Sequence, residues 1–193
     1  MGEMVLILGG ARSGKSRLAE RMAERSGPRV TFIATAQPLD EEMRQRIEAH
    51  KSARPREWRT VEEPLDLATV VEAAIGDSEM VLVDCITVWV SNHICRIIAP
   101  ESSSEWHHEV EALGDRLRDQ VARLVAISRS SGATLLLVSN EVGLGLVPEN
   151  PLGRAYRDLL GAINRQLAAE AGKVLLMVAG LPLDVKRLAL EIP

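Results

Sequence analysis

Aromatic side chains are scarce in this chain, which has one Phe, one Tyr and three Trp among 193 residues. Charge of either sign is nearly balanced as well: Lys and Arg number 23 against 27 Asp and Glu, a formal charge of −4. A nucleic-acid surface needs a basic field and rings on which bases stack, and neither is abundant, so nucleic-acid partners are not expected. The two cysteines, Cys85 and Cys95, form no C-x-x-C and have no matching His pair, which argues against both a zinc site and a disulfide framework. Reduced thiols in a cytoplasmic protein are the expectation. The longest apolar run, Val174 to Ala179, is followed by Gly180 and Pro182. It falls far short of the roughly 18 to 20 residues that a membrane helix needs, so no membrane span is expected. Met4 to Leu8 is too short for a signal-peptide core and leads into glycines instead of a cleavage site, so it reads as a first strand.

What is present is a well-proportioned globular chain, 46% hydrophobic and 26% charged, read as one nucleotide-binding domain over residues 1–193. Short apolar runs at Met4 to Leu8, Val30 to Ala34, Met80 to Asp84, Thr134 to Val138 and Val174 to Val178 read as buried strands. Segments of helical period alternate with them, which predicts an α/β fold with a mainly parallel sheet flanked by helices. One helix is expected from Lys15 to Ser26, stopped by Gly27-Pro28, and a second from Asp40, its cap, to the Arg54-Pro55 break. A long one is expected from about Ser104 to Ser130, with Val110, Leu113, Leu117, Val121, Leu124 and Ile127 in one core or subunit-contact stripe. Trp58 to Val61 alternates as a short edge strand, expected to be antiparallel. The segment Asn140 to Leu152, with two glycines and two prolines, is the one long loop.

The first strand runs into GGARSGKS, which fits G-x-x-x-x-G-K-[ST] from Gly9 to Ser16. Strand, glycine turn and helix is the arrangement in which successive backbone N–H groups can face one anion and the helix adds its positive end. Lys15 would reach the β and γ phosphates, and the Ser16 hydroxyl would ligate Mg²⁺. Asp84, closing an apolar strand, is the matching carboxylate for that ion. A small GTPase would also show D-x-x-G after the second strand and N-K-x-D for guanine. Asp84 is followed by Cys85, Ile86 and Thr87, and protein-kinase signatures are absent too, so the loop alone specifies only a nucleoside triphosphate.

A second concentration of polar chemistry lies between Arg44 and Leu67. Met43, Ile47 and His50 share one face of the helix from Asp40, with Lys51 and Arg54 beside the histidine. Pattern alone leaves His50 open as a helix-end or core histidine or as a nucleophile, which must present a neutral imidazole.

The blocks GGARSGKS, FIATAQPLDEEMRQRIEAHKSARPREWRTVEEP, VLVDCITVWVSN and VSNEVGLGLVPENPLGRAYRDLLGAINRQLA occur in this order. In them the chain resembles, nearly end to end, the bifunctional adenosylcobinamide kinase and adenosylcobinamide-phosphate guanylyltransferase family of cobalamin biosynthesis. The resemblance implies a RecA-like P-loop fold, a homotrimer and two reactions, with ATP and GTP as substrates and Mg²⁺ expected. A nucleoside triphosphate first phosphorylates the aminopropanol hydroxyl of adenosylcobinamide. GTP then gives GMP to that phosphate through a guanylyl-histidine, releasing pyrophosphate and forming adenosylcobinamide-GDP.

Carried onto this chain, the resemblance assigns the guanylylated histidine to His50. It assigns nucleotide contacts to Gly9, Gly10, Ala11, Arg12, Ser13, Gly14, Lys15 and Ser16, and to Ala34, Thr35 and Ala36. Lys51, Ser52, Ala53, Arg54, Glu62 and Asp84 complete the set. Lys51 and Arg54 could offset charge on the transferring group, and Glu62 could accept from guanine or a ribose hydroxyl. The alternative reading of Glu62, with Glu63, is a solvated acidic turn before Pro64. His93 reads as a helix-end residue, His107 and His108 as solvated, and Trp58, Trp89 and Trp106 as core or interface. Asn140 and Glu141 end a strand on the nucleotide side, so the following loop is expected near the corrinoid or a neighbouring subunit. Two rival readings are another P-loop small-molecule kinase with a structural His50, and a nucleotide-gated binding protein without an acceptor.

Overall fold

The computed structural model describes residues 2–52, 54–97 and 106–190. Seven strands form one sheet in the order β3-β2-β4-β5-β1-β6-β7. They are β1 Met4–Gly9, β2 Val30–Ala34, β3 Arg59–Glu62, β4 Met80–Asp84, β5 Thr134–Val138, β6 Lys173–Val178 and β7 Leu181–Asp184. The helices are α1 Lys15–Glu24, α2 Glu41–Ser52, α3 Leu67–Ile75, α4 Ile86–Ile97, α5 Trp106–Ser130, α6 Pro151–Glu170 and the short α7 Val185–Leu188.

The central strands are apolar on both sides because both faces of the sheet are covered. In β1 the side chains alternate between two cores: Met4 and Leu6 join α3, α4, α5 and α6, whereas Val5 and Ile7 join α1 and Trp58. The stripe foreseen on α5 is core, with Leu113, Leu117, Val121 and Leu124 buried and Val110 and Ile127 packed against them. Ser104 and Glu105, at the start of that expectation, lie outside the described residues. Trp89 is completely buried and Trp58 nearly so, as core tryptophans.

The two sheet edges correct one expectation and add one element. The edge strand near Trp58 is Arg59–Glu62, and it pairs parallel to β2, with Thr31 opposite Arg59 and Ala34 opposite Glu62. Its direction follows from its connection: α2 carries the chain back along the sheet before β3, and such a crossover returns a strand parallel. The antiparallel edge is β7, at the other side, joined to β6 through Ala179 and Gly180. Both turn residues have positive φ, 50° and 85°, the backbone of a two-residue hairpin turn. Pro182 in β7 is tolerated on an edge strand, where the missing N–H need not enter a ladder.

β1, β2, β4 and β5 all point their carboxyl ends one way, so the glycine loop, the Ala34–Ala36 segment, Asp84 and Asn140 meet at one rim. α2 stands apart from both cores and is exposed along most of its length. Its start is defined by Asp40, whose carboxylate accepts from the N–H of Met43 at 2.7 Å.

Candidate active site

The carboxyl rim holds a cavity of about 510 Å³, within the range of small-molecule sites. Its floor is the glycine loop. Gly14 has φ 95° and Gly9 φ 151°, and a β-carbon on Gly9 would come within 2.7 Å of the Met177 carbonyl. Both positions therefore require glycine, and Arg12, with φ 55°, completes a turn that wraps inward. α1 begins directly after this turn with no side chain capping it, leaving its first N–H groups free for an anion. The Ser13 hydroxyl is buried without a protein partner, an orphaned polar atom inside the loop.

Lys15 is buried, and its ammonium donates to the Gly10 carbonyl at 2.7 Å. Burial lowers its pKa below the ordinary lysine range, while the nearby Cys85 and Asp84 favour the charged form. Lys15 is thus parked on the loop's own backbone, one hydrogen bond away from a phosphate.

The opposite wall comes from α2 and the segment after it. Met43, Ile47, His50, Lys51 and Arg54 face the cavity, together with Glu62 from β3. The Arg54 guanidinium lies 3.5 Å from the centroid of the Phe32 ring, and its Nε is buried without a partner. Burial lowers its pKa, against the attraction of Asp84, Glu20 and Glu62. A desolvated guanidinium with an unused N–H is a ready anion contact. Lys51 donates to Glu62 at 3.2 Å, an exposed pair that a ligand can open at little cost. Glu20, one turn along α1 from Ser16, has its pKa raised by burial first, with His50 and Arg54 pulling the other way.

The structure brings Ala11, Arg12, Ser13, Gly14, Lys15, Ser16, Ala34, Ala36, His50, Lys51, Arg54, Glu62 and Asp84 around this one cavity. Gly9, which is buried, and Gly10, which is exposed, belong to the same loop without lining the cavity. Thr35 has a different position: fully buried, its hydroxyl donates to the Cys85 carbonyl at 2.8 Å and accepts from the Cys85 N–H at 2.9 Å. Its side chain ties β2 to the end of β4 instead of facing the cavity. Ser52 is exposed at the end of α2, and Ala53 lies outside the described residues. Of the two acidic neighbours, Glu63 is the turn residue, accepting from the N–H groups of Leu65 and Asp66 at 2.8 Å each.

A sequence model of the family described as "Cobinamide kinase / cobinamide phosphate guanyltransferase" matches residues 5–185. The chain belongs to this family. Among curated members, "Bifunctional adenosylcobalamin biosynthesis protein CobU" of Escherichia coli is 42% identical over 95% of this chain and 99% of its own length. "Bifunctional adenosylcobalamin biosynthesis protein CobP" of Pseudomonas aeruginosa is 43% identical over 94% of this chain and 96% of its own. A solved ATPase domain shares the fold, with TM-score 0.51 and 12% identity over 90% of this chain and 68% of its own. The cobinamide kinase/guanyltransferase chain thus has a P-loop NTPase fold and takes nucleotide substrates.

Several contributors to this family member's site had no local sequence signal. Asn92 on α4 donates to the carbonyls of Thr35 at 2.8 Å and Pro64 at 3.1 Å, holding together two segments of the rim. His93 stands edge-on to Trp89, with ring centroids 5.4 Å apart, and its Nε2 donates to the Leu65 carbonyl at 3.1 Å. Burial lowers its pKa. It is a packing residue, and its place within α4 differs from the helix end expected for it. His108 is exposed.

Cys85 borders the cavity, but burial pushes its thiol up to about 12, whereas Cys95 is exposed. A thiolate-selective reagent at neutral pH should therefore modify Cys95 and spare Cys85 in the folded chain, with both reacting after denaturation. Counting adducts by mass checks this. Rapid labelling of Cys85 in the native state would contradict the buried geometry.

Proposed function

We propose that this chain carries out two successive transfers on one corrinoid acceptor, using the single cavity at the carboxyl rim for both nucleotides. The observation that carries this reading is that the glycine loop and His50, from separate elements, line the same 510 Å³ space.

In the first reaction the aminopropanol hydroxyl of adenosylcobinamide attacks the γ-phosphorus of ATP or GTP. The new P–O bond forms as the bridging bond to the β-phosphate breaks, the nucleoside diphosphate leaves, and the hydroxyl proton passes to water. Lys15, released from Gly10, and the free N–H groups of the loop and α1 bind the triphosphate and take up its charge.

In the second reaction a ring nitrogen of neutral His50 attacks the α-phosphorus of GTP, and pyrophosphate leaves. A phosphate oxygen of adenosylcobinamide phosphate then displaces the histidine from phosphorus, giving adenosylcobinamide-GDP and regenerating His50. Arg54 and Lys51 flank that position as charge partners, and Glu62 is the acceptor for guanine or ribose donors once Lys51 turns to phosphate.

The donor set suits Mg²⁺. Ser16 offers one hydroxyl and Asp84 one carboxylate on the same cavity, and no cluster of three or more acidic, His or Cys ligands occurs among the described residues. Mg²⁺ takes few protein oxygens and keeps waters and phosphate oxygens, so these two residues would hold it beside the triphosphate, where it would neutralise phosphate charge.

The working form in this reading is a homotrimer of single-domain chains in the cytoplasm. Exposed Leu144, Leu146, Leu181 and Leu188 offer apolar contact surface, and no helix among the described residues is long and apolar enough to cross a membrane.

Adenosylcobinamide supplied with ATP should give its phosphate, and with GTP its GDP derivative, both identified by mass. Nucleotide binding without either product would overturn the reading.

A further inference from the structure

The edge strand β3 places Glu62 opposite Ala34 at the carboxyl rim, where both residues line the cavity. Four residues with one hydrogen-bonded neighbour make a weak mount for an acceptor, because the ends of such strands fray. Among the described residues the Glu62 carboxylate has one hydrogen-bond partner, the exposed Lys51 ammonium. The firm support for this corner of the cavity comes from further along the chain.

After Glu62 the chain turns through Glu63, Pro64 and Leu65 towards α3. Glu63 donates its N–H to the Ala34 carbonyl at 2.9 Å. The Leu65 carbonyl accepts from Trp89 Nε1 at 2.8 Å and His93 Nε2 at 3.1 Å, both on α4. Asn92, on the same helix, spreads its amide over two segments: Nδ2 donates to the Thr35 carbonyl at 2.8 Å and to the Pro64 carbonyl at 3.1 Å.

A primary amide has two N–H donors in one plane, and Asn92 turns one to each carbonyl. Thr35 lies between Ala34 and Ala36 of the cavity wall, and Pro64 follows Glu62 by two positions. The amide thereby fixes the spacing of the two strand ends, although Asn92 does not line the cavity itself. Trp89, one turn before it, is completely buried, so the clamp is mounted on a helix locked into the core.

Guanine presents N1–H and its N2 amino group side by side, two donors that one carboxylate can accept together. Adenine has a bare ring nitrogen at N1 and a C–H at C2, so the same carboxylate gains no bond and repels the nitrogen lone pair. The choice depends on where the two oxygens sit, and a displacement of about 1 Å is enough to lose the paired contact.

We propose that Asn92 is the positioning residue that gives the second reaction its preference for GTP over ATP, by clamping the Thr35 and Pro64 carbonyls so that Glu62 meets the donor edge of guanine. The proposal rests on the reading of Glu62 as the guanine acceptor and names what holds it in place.

The test measures initial rates of His50 labelling with α-labelled GTP and with α-labelled ATP, for wild type, Asn92→Ala, Asn92→Asp, Glu62→Ala and the double variant Asn92→Ala with Glu62→Ala. Asn92→Ala should lower the ratio of kcat/KM for GTP to that for ATP about tenfold. KM for GTP should rise about tenfold while kcat stays within about threefold, because a base contact is alike in the ground state and the transition state. Asn92→Asp keeps the shape but sets an acceptor oxygen against two carbonyls, and should lower the ratio at least as far. Glu62→Ala should lower it too, and the double variant should fall no more than about twofold below Glu62→Ala, because both changes remove one contact. Loss of folded protein reduces labelling by both nucleotides alike and leaves the ratio unchanged, so the ratio reads position apart from stability.

A ratio for Asn92→Ala within twofold of an active wild type, or a double variant in which the two effects multiply, overturns the proposal alone. An unchanged ratio in Glu62→Ala removes the guanine contact and the proposal with it. A wild type labelled by neither nucleotide refutes the two-reaction reading as well.

Discussion

His50→Ala is expected to lose guanylyl transfer by about 10³-fold or more while phosphoryl transfer to adenosylcobinamide stays within about tenfold of wild type. The separation follows from where His50 sits. It reaches the cavity from α2, an exposed helix outside both cores, whereas the residues proposed to hold the β and γ phosphates come from the glycine loop, the start of α1 and the end of β4. Removing the imidazole takes away the proposed nucleophile that would divide GMP transfer into two displacements, and nothing in the wall beside it replaces that role: Lys51 and Arg54 are cations, and Met43 and Ile47 are apolar. The phosphate loop, Lys15, Ser16 and Asp84 are untouched. Separate assays of the phosphate and GDP products check the result. A His50→Ala protein that makes the GDP product at the wild-type rate would require direct attack of the corrinoid phosphate on GTP.

Lys15→Met should act in the opposite sense on stability and activity. Phosphoryl transfer should fall about 10²- to 10³-fold, because the cation proposed to leave Gly10 and take up phosphate charge is lost from a desolvated site. The empty protein should be no less stable, by the following linkage. Burial lowers the pKa of the Lys15 ammonium, so the folded chain holds that proton less tightly than the unfolded chain. For a base shifted this way, the stabilising contribution exists only above the ordinary lysine pKa and disappears as pH falls through the lowered value. At neutral pH the charged ammonium therefore opposes folding, offset in part by its bond to Gly10. Methionine has similar length and no charge, so Tm in the absence of nucleotide should equal or exceed that of wild type. Thermal unfolding at neutral pH, with and without ATP, checks both halves. A clear loss of Tm without ligand would show that the Gly10 bond outweighs the cost of burying the charge.

Much of the fold is legible in the sequence where local pattern and tertiary environment agree. The runs at Val30, Met80 and Thr134 are strands because a two-sided parallel sheet demands continuous apolar residues, and the stripe on α5 is buried because it meets one face of that sheet. The glycine loop is legible for the same reason: Gly9 and Gly14 are required by backbone angles and a close carbonyl, which spacing alone reports.

What stays hidden depends on contacts remote in sequence. The direction of β3 depends on the crossover through α2, and β7 on a hairpin whose Pro182 disguises it. Thr35 sits in the middle of a nucleotide-side segment, yet its hydroxyl is taken up by Cys85, a residue fifty positions later. Asn92 matters through hydrogen bonds to the carbonyls of Thr35 and Pro64, which no local periodicity encodes. The neighbourhood of His50 and the loop is of this kind too. Residue pattern left His50 open between packing and chemistry, and the structure sets it on the cavity that the glycine loop also lines.

The central claim is that GMP passes through His50 on its way to the corrinoid. Its most direct test is peptide mass spectrometry of the chain after incubation with GTP and Mg²⁺ in the absence of acceptor, and again after adenosylcobinamide phosphate is added. The account predicts one guanylyl group on the peptide containing His50, through a P–N bond stable to alkali and cleaved by acid, and its disappearance as adenosylcobinamide-GDP forms. An unmodified His50 in a preparation that still converts the phosphate to the GDP product would contradict it.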